Sequence, residues 1–130
     1  MTSGTGETVT MHIGELADNT GLSLRTIRHY DEVGLLKPSG RTEGGFRLYS
    51  QDDLSRLLLI RRMKPLGYSL EEMTELLRII DTLDGDHLEA DTSTVRADLD
   101  RFIDETVSRL EKLRAQVDMA DEFLDLLRSR

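Results

Sequence analysis

Apolar residues in the first part of the chain follow two short helical stripes separated by a turn. Their spacing predicts a first helix over residues 13–17 and a second over residues 24–33. Ser23 is a favourable N-cap for the second helix, while Gly21 and Gly34 are suited to ending helices. The pattern therefore predicts a helix, a tight turn and a second helix.

The residue types in this region fit a helix–turn–helix motif. Ala17 is small where two helices touch, Gly21 permits the turn, and Ile27 anchors the second helix. A recognition helix presents polar side chains near its start to base edges and phosphates. The candidates at that place are Arg25, Arg28 and His29. The structural alternative is a solvated face of a small helical bundle.

Residues 39–49 carry the pattern of a β-hairpin. Two adjacent glycines favour a turn, and the residues after them alternate between apolar and polar. This alternation predicts that Phe46 and Leu48 face the core. It also predicts that Arg47 and Tyr49 point outward on the opposite face. We expect a two-stranded wing that presents a cation and an aromatic ring.

Two capping-box patterns predict two further helices. Ser50 with Asp53 opens one apolar stripe, and Ser69 with Glu72 opens another. Together with the helix–turn–helix and the wing, these helices complete a predicted globular head over residues 11–80.

The last part of the chain has a heptad pattern. Its apolar seam advances in alternating steps of four and three residues: Leu99, Ile103, Thr106, Leu110, Leu113, Val117, Ala120, Leu124 and Leu127. A helix over residues 95–127 would be roughly 50 Å long, with too few partners in this chain to bury the seam. Residues 95–130 are therefore predicted to form a coiled-coil dimerisation helix. Its apolar stripe is widened by Phe102, Val107 and Phe123, which flank the seam.

Composition narrows the class of protein. The 130 residues are 38% hydrophobic and 32% charged, which fits one small globular unit with an appended element. Residues 1–10 lack the basic start and apolar core of a signal peptide and are expected to be a flexible tail. No apolar run reaches membrane-spanning length, so the expected location is the cytoplasm. The absence of cysteine excludes disulfides, thiolate metal sites and thiol redox switches.

The charge is distributed unevenly along the chain. The net charge is −8, yet residues 21–64 hold nine basic and five acidic side chains, a local charge of +4. Residues 81–130 hold seven basic and fourteen acidic side chains, a local charge of −7. This asymmetry is typical of a protein whose basic N-terminal domain binds a polyanion and whose acidic C-terminal segment does not.

The ordered motifs resemble the MerR family of bacterial transcription regulators over about 70 residues. The run is Met11-His-Ile-Gly-Glu-Leu-Ala17, Thr20-Gly-Leu-Ser23, Thr26-Ile-Arg-His-Tyr-Asp31, Gly34-Leu-Leu, Pro38, Arg41, Gly45-Phe-Arg-Leu-Tyr49 and Leu66-Gly-Tyr-Ser-Leu-Glu-Glu72. The resemblance implies a mainly α fold, with a winged helix–turn–helix head and an antiparallel coiled-coil homodimer. It also implies binding to a palindromic operator in double-stranded promoter DNA, with distortion of an overlong spacer so that RNA polymerase can engage.

The resemblance carries DNA-binding roles onto three groups of residues. They are Arg25, Thr26, Arg28, His29 and Tyr30 in the recognition helix, Arg41, Arg47 and Tyr49 in the wing, and Arg61, Arg62 and Lys64 in a second wing. Arg25 and Arg28 are suited to reading bases, whereas the other cations are suited to phosphates. Tyr30 and Tyr49 are either phosphate donors or core aromatics with a wet hydroxyl.

Residues 81–94 carry five acidic residues and no sustained period, which predicts a linker or a fraying helix end, and they contain the one candidate metal cluster. Its members are Asp81, Asp84, Asp86, His87, Glu89 and Asp91. Oxygen ligands suit calcium, magnesium or manganese, but the spacing matches no EF-hand loop, so we expect a solvated linker with no metal and no cofactor. No catalytic constellation stands out, and we expect a non-enzyme. A small apolar effector near Phe102 or Phe123 is left open.

Two other classes of function remain open from the sequence. The first is an architectural DNA-bending protein resembling phage excisionases, against which the long dimer helix argues. The second is a coiled-coil interaction protein whose head does not bind DNA. The basic residues of the recognition helix and wing argue against that second class.

Overall fold

The computed structural model describes residues 10–85 and 92–130. Their elements, in chain order, are β1 (Met11–His12), α1 (Ile13–Thr20), α2 (Leu24–Glu32), β2 (Gly40–Arg41), β3 (Arg47–Tyr49), α3 (Gln51–Met63), a 3₁₀ turn (Lys64–Leu66), α4 (Leu70–Asp84) and α5 (Ser93–Arg128). The fold is thus mainly helical with one small sheet, as the sequence predicted.

The helix–turn–helix forms as predicted, with a longer first helix. Gly21 adopts φ 73°, a left-handed conformation that glycine tolerates without a steric penalty. The Ser23 hydroxyl caps α2 by accepting a hydrogen bond from the backbone N–H of Thr26 at 3.0 Å. The extra turn of α1 ends at Thr20, whose buried hydroxyl donates to the carbonyl of Leu16. That internal bond lets a polar residue lie at the helix end without a solvent partner.

The predicted hairpin forms from β2 and β3, and a third strand that was not predicted, β1, joins the same sheet. The strand order is β1-β3-β2, with Met11 opposite Tyr49 and Gly40 opposite Leu48, all pairs antiparallel. Strand β1 has only two residues, too few to produce an alternating pattern in the sequence. It makes β3 the central strand, and α1 packs against β3, where Tyr49 is buried.

The predicted directions of Phe46 and Tyr49 were wrong, whereas Arg47 and Leu48 are both partly buried. Tyr49 is fully buried, whereas Phe46 is 69% exposed. Strand β3 begins only at Arg47, and Gly45 precedes it with φ 86°. Phe46 therefore belongs to the turn, where the two-residue period of a strand does not apply.

Both predicted capping boxes are present. The backbone N–H of Ser50 donates to Asp53 at 2.8 Å, and that of Ser69 donates to Glu72 at 2.9 Å. In each box the serine hydroxyl accepts a hydrogen bond from the backbone N–H of the acidic residue in return. These paired bonds satisfy N–H groups that a helix start otherwise leaves free.

The chain divides into two compact units. The first unit extends to Thr74 and the second begins at Glu75, so the division lies inside α4 and before the predicted boundary at residue 80. Helix α4 continues to Asp84 and α5 begins at Ser93, so both ends of the predicted linker are helical. Leu16, Ile27, Leu57 and similar fully buried side chains form the core of the first unit.

Helix α5 differs from every other helix in the described part of the chain. It spans 36 residues and contains no buried residue. Within residues 10–85 and 92–130, no helix carries an apolar stretch long enough to cross a bilayer.

Candidate nucleic-acid interface

The exposed face of α2 is the centre of the candidate interface. Ile27 is fully buried and Tyr30 is 3% exposed, so these two side chains fix the rotation of the helix. That rotation leaves Arg25, Arg28 and His29 exposed within the first turns. Three of the five predicted recognition residues, Arg25, Arg28 and His29, therefore lie together on one accessible face of α2, where a recognition helix presents its side chains.

Thr26 belongs to the cap of α2 as well as to its surface. The Ser23 hydroxyl donates to Thr26 Oγ1 at 2.9 Å, beside the cap bond to the Thr26 backbone. The side chain is partly buried. Its position therefore depends on the helix start, which ties this candidate residue to the orientation of α2.

The two candidate tyrosines lie in the core. Burial raises the pKa of both Tyr30 and Tyr49, because the charged phenolate is disfavoured away from water. The Tyr49 hydroxyl has no hydrogen-bond partner among the described residues. The sequence had left open whether these residues were phosphate donors or core aromatics, and the geometry favours the core role for both.

Asp31 joins the recognition helix to the wing. Its carboxylate accepts a hydrogen bond from Arg47 Nε at 2.8 Å. Arg41 Nη2 lies 3.6 Å from the same carboxylate, and Lys37 Nζ lies 3.9 Å from it. We call these four residues the Asp31 cluster. Its hydrogen bond raises the pKa of Arg47, so that guanidinium is held in its charged form.

The wing tip is stabilised by its own hydrogen bonds. Arg41 Nη1 donates to the carbonyl of Gly45 at 3.0 Å, across the turn. The backbone N–H of Phe46 donates to the Thr42 hydroxyl at 3.1 Å. Arg41 is thus both a wing cation and a support of the wing turn.

The predicted second wing separates into residues with different roles. Arg61 Nη1 donates to the carbonyl of Thr20, at the end of α1, and the side chain is partly buried. Arg62 is exposed and bonds the carbonyl of Leu58 in its own helix, and Lys64 is also exposed. Arg61 therefore supports the helix–turn–helix, while Arg62 and Lys64 remain accessible for phosphate contacts.

Sequence reasoning missed Asp31 and Lys37 as members of this surface. Asp31 is 8% exposed and lies four residues after the buried Ile27, on the same face of α2. An acidic residue on the buried face of a helix is a signal for a paired charge, because an unpaired buried charge is costly. That signal was readable from the spacing.

The predicted seam of α5 forms an exposed apolar row. Val117 is 58% exposed, Leu127 is 53% exposed and Leu113 is 37% exposed, and every residue from 110 onward is exposed. Leu99 and Thr106 are partly buried, and the Thr106 hydroxyl donates to the carbonyl of Phe102. Ile103 and the seam residues from Leu110 onward are therefore left uncovered by the described part of the chain.

The candidate acidic metal cluster lies mostly outside the described residues. Asp86, His87, Glu89 and Asp91 belong to the segment that is not described. Within the described ranges, no three His, Asp or Glu side chains are grouped so that they could hold a metal ion.

Comparison with known proteins gives consistent matches. Residues 11–79, just over half of the chain, match the family described as MerR HTH family regulatory protein. The chain is 48% identical over 69 residues to the mercuric resistance operon regulatory protein of Bacillus cereus. This match covers 53% of the chain and 52% of that protein, so the chain spans about half the length of this relative.

Two further matches extend beyond the first unit. The chain is 35% identical over 107 residues to the HTH-type transcriptional regulator CueR of Escherichia coli O157:H7, covering 81% of the chain and 79% of that protein. The solved structure of HiNmlR, a MerR family regulator lacking the sensor domain, bound to promoter DNA, is also similar. It has a TM-score of 0.67 and 30% identity over 94% of the chain and 83% of its own.

Proposed function

Because the chain belongs to the MerR HTH family of regulatory proteins, we propose that it is a transcription regulator that binds promoter DNA as a homodimer. The observation that carries this proposal is the exposed basic face of α2, held in place by Ile27 and Tyr30 and flanked by a wing. The likeness to HiNmlR, a family member solved on promoter DNA, supports it. The two curated relatives described above are named as an operon regulatory protein and an HTH-type transcriptional regulator, which supports a regulatory rather than an enzymatic role.

The proposed division of roles follows from exposure. Arg25 and Arg28 read base edges from the major groove, because they are exposed at the start of α2 and guanidinium groups suit guanine. Phosphates are contacted by the exposed cations Arg41, Arg62 and Lys64. Those contacts make binding salt-dependent.

The partner of α5 is proposed to be a second copy of the same helix in antiparallel orientation. The dyad passes near Leu113, midway between the two ends of the seam, and Thr106 lies near Ala120 of the other copy. On this geometry each exposed apolar row covers the other over its full length. The dimer then carries two heads related by a two-fold axis, which matches an inverted repeat in the DNA.

The operator is proposed to lie between the two promoter elements. Distortion of this DNA changes the alignment of the elements that RNA polymerase recognises, so protein binding alters transcription. The chain contains no cysteine, so a thiolate-bound metal cannot be the signal within these 130 residues.

Footprinting on the DNA upstream of the protein's own gene, over a series of salt concentrations, tests this proposal. We expect protection of one inverted repeat between the promoter elements, with affinity falling as salt rises. Protection spread over repeated sites away from a promoter would favour the architectural class. Failure to protect any sequence at low salt would contradict DNA-binding regulation.

A further inference from the structure

The Asp31 cluster links the recognition helix α2 to both strands of the wing hairpin, through Arg41 on β2 and Arg47 on β3. We propose that Asp31 is a positioning residue for sequence discrimination: it fixes the wing against α2, and it contributes through Arg47 without touching DNA. This inference rests on the proposed function, since it concerns how the same surface tells its operator from other DNA. Its basis is the geometry of one carboxylate with three cations.

The bond between Asp31 and Arg47 has the character of a structural link. The Nε–Oδ2 distance is 2.8 Å, and the two side chains are only 11% and 26% exposed. A short, charge-assisted bond with little solvent access holds its geometry better than a surface ion pair. Arg47 lies on the central strand β3, so this bond fixes the whole sheet relative to α2.

Lys37 and Arg41 have a different relation to the carboxylate. They lie at 3.9 Å and 3.6 Å from it, and their side chains are 71% and 48% exposed. These longer and more exposed pairs are weak, so both cations remain available to phosphates. Asp31 therefore gathers two DNA-facing cations beside the end of α2, and Lys37 joins Arg41 as a phosphate contact.

This arrangement predicts opposite effects on two kinds of DNA. Asp31 places a negative charge within a surface that meets phosphates, so its removal strengthens attraction to any duplex. The same removal releases the wing from α2, so base-reading and phosphate-contacting residues no longer match one operator. A residue needed only for stability would instead weaken binding to all DNA in proportion to the unfolded fraction.

The test compares Asp31→Asn with Glu32→Gln in the full chain. Glu32 is the next residue and is exposed, and its charge also acts on Arg47 but without the hydrogen bond that Asp31 accepts, so it controls for the loss of one negative charge beside the cluster. The specific probe is the duplex that wild-type protein enriches from a randomised pool. The second probe is a shuffled duplex of the same length, and thermal melting checks folding.

We expect Asp31→Asn to bind the enriched duplex roughly ten-fold more weakly while binding the shuffled duplex equally or more tightly. Glu32→Gln should keep the wild-type ratio of affinity for the enriched duplex to affinity for the shuffled duplex. If this affinity ratio is the same in the two variants, the inference is overturned. If the wild type enriches no sequence at all, the proposed function fails instead.

A second variant keeps the inference testable if Asp31→Asn does not fold. Arg47→Lys retains the positive charge but removes the Nε–H donor that bonds Asp31. We expect the ratio of affinity for the enriched duplex to affinity for the shuffled duplex to fall as it does in Asp31→Asn. An unchanged ratio with a normal melting curve would show that the link does not control discrimination.

Discussion

The first unit and helix α5 show two different ways of placing apolar residues. In the first unit, Leu16, Ile27 and Leu57 are fully buried, so these side chains find their packing partners within the chain. In α5, no residue is buried, and Leu124 and Val117 are 41% and 58% exposed. The contrast indicates that the first unit can be stabilised by its own core, whereas α5 needs a partner.

The largest expected effect comes from breaking the partner surface. Leu113→Asp places a charge at the proposed dyad in both copies, which should weaken dimerisation by about 4 kcal/mol or more. Sedimentation should then detect monomers, and DNA affinity should fall with them. Ala115→Asp, on the opposite face of α5, is the control. A dimer of unchanged stability in Leu113→Asp would contradict this placement of the dyad.

The next effect concerns the internal support of the first unit. Arg61→Ala removes the donor to the Thr20 carbonyl, and we expect the free energy of unfolding to fall by about 2 kcal/mol. Arg62→Ala, which changes an exposed neighbour bonded within its own helix, should have little effect. Urea unfolding monitored by circular dichroism measures both. Equal stability of the two variants would rule out a special role for Arg61.

A change on the exposed face of α2 should affect DNA binding while leaving both the core of the first unit and the apolar row of α5 intact. Arg25→Ala should weaken binding to the enriched duplex by about 1–3 kcal/mol, because a base contact is lost, with a much smaller loss on shuffled DNA. Arg101→Ala, on α5, is the control for the loss of one positive charge. Equal losses on both duplexes would exclude Arg25 from base readout.

The smallest expected effect tests the core role of Tyr49. Its hydroxyl is buried and unpartnered among the described residues, so Tyr49→Phe should leave stability unchanged or raise it by about 1 kcal/mol. DNA affinity should be unchanged. Calorimetry and binding titrations provide the two values, and a clear loss of affinity would return Tyr49 to the set of DNA contacts.

Much of the fold was predictable because its signals are local. The capping boxes at Ser50 and Ser69 and the turn at Gly21 depend on residues within a few positions of one another. The heptad seam is equally local. These features were therefore readable from the sequence alone.

The parts that could not be predicted depend on pairing between distant segments. Strand β1 forms by pairing Met11 and His12 with Tyr49 and Leu48, and Tyr49, which was expected to point outward, is a core residue on a strand against which α1 packs. The bond between Arg61 and Thr20 joins residues far apart in the chain. The residue types alone predicted a basic surface. Only the folded structure distinguishes the cations that bond other parts of the protein from the cations that remain accessible to DNA.

The most direct test of the central claim is selection of duplexes from a randomised pool by the wild-type protein and by Leu113→Asp in parallel. We predict that the wild type enriches an inverted repeat, because the α5 pair relates two heads by a dyad. The variant should lose this enrichment while keeping its fold. The central claim would be contradicted if a monomeric variant enriched the same inverted repeat. It would also be contradicted if the wild type enriched no sequence.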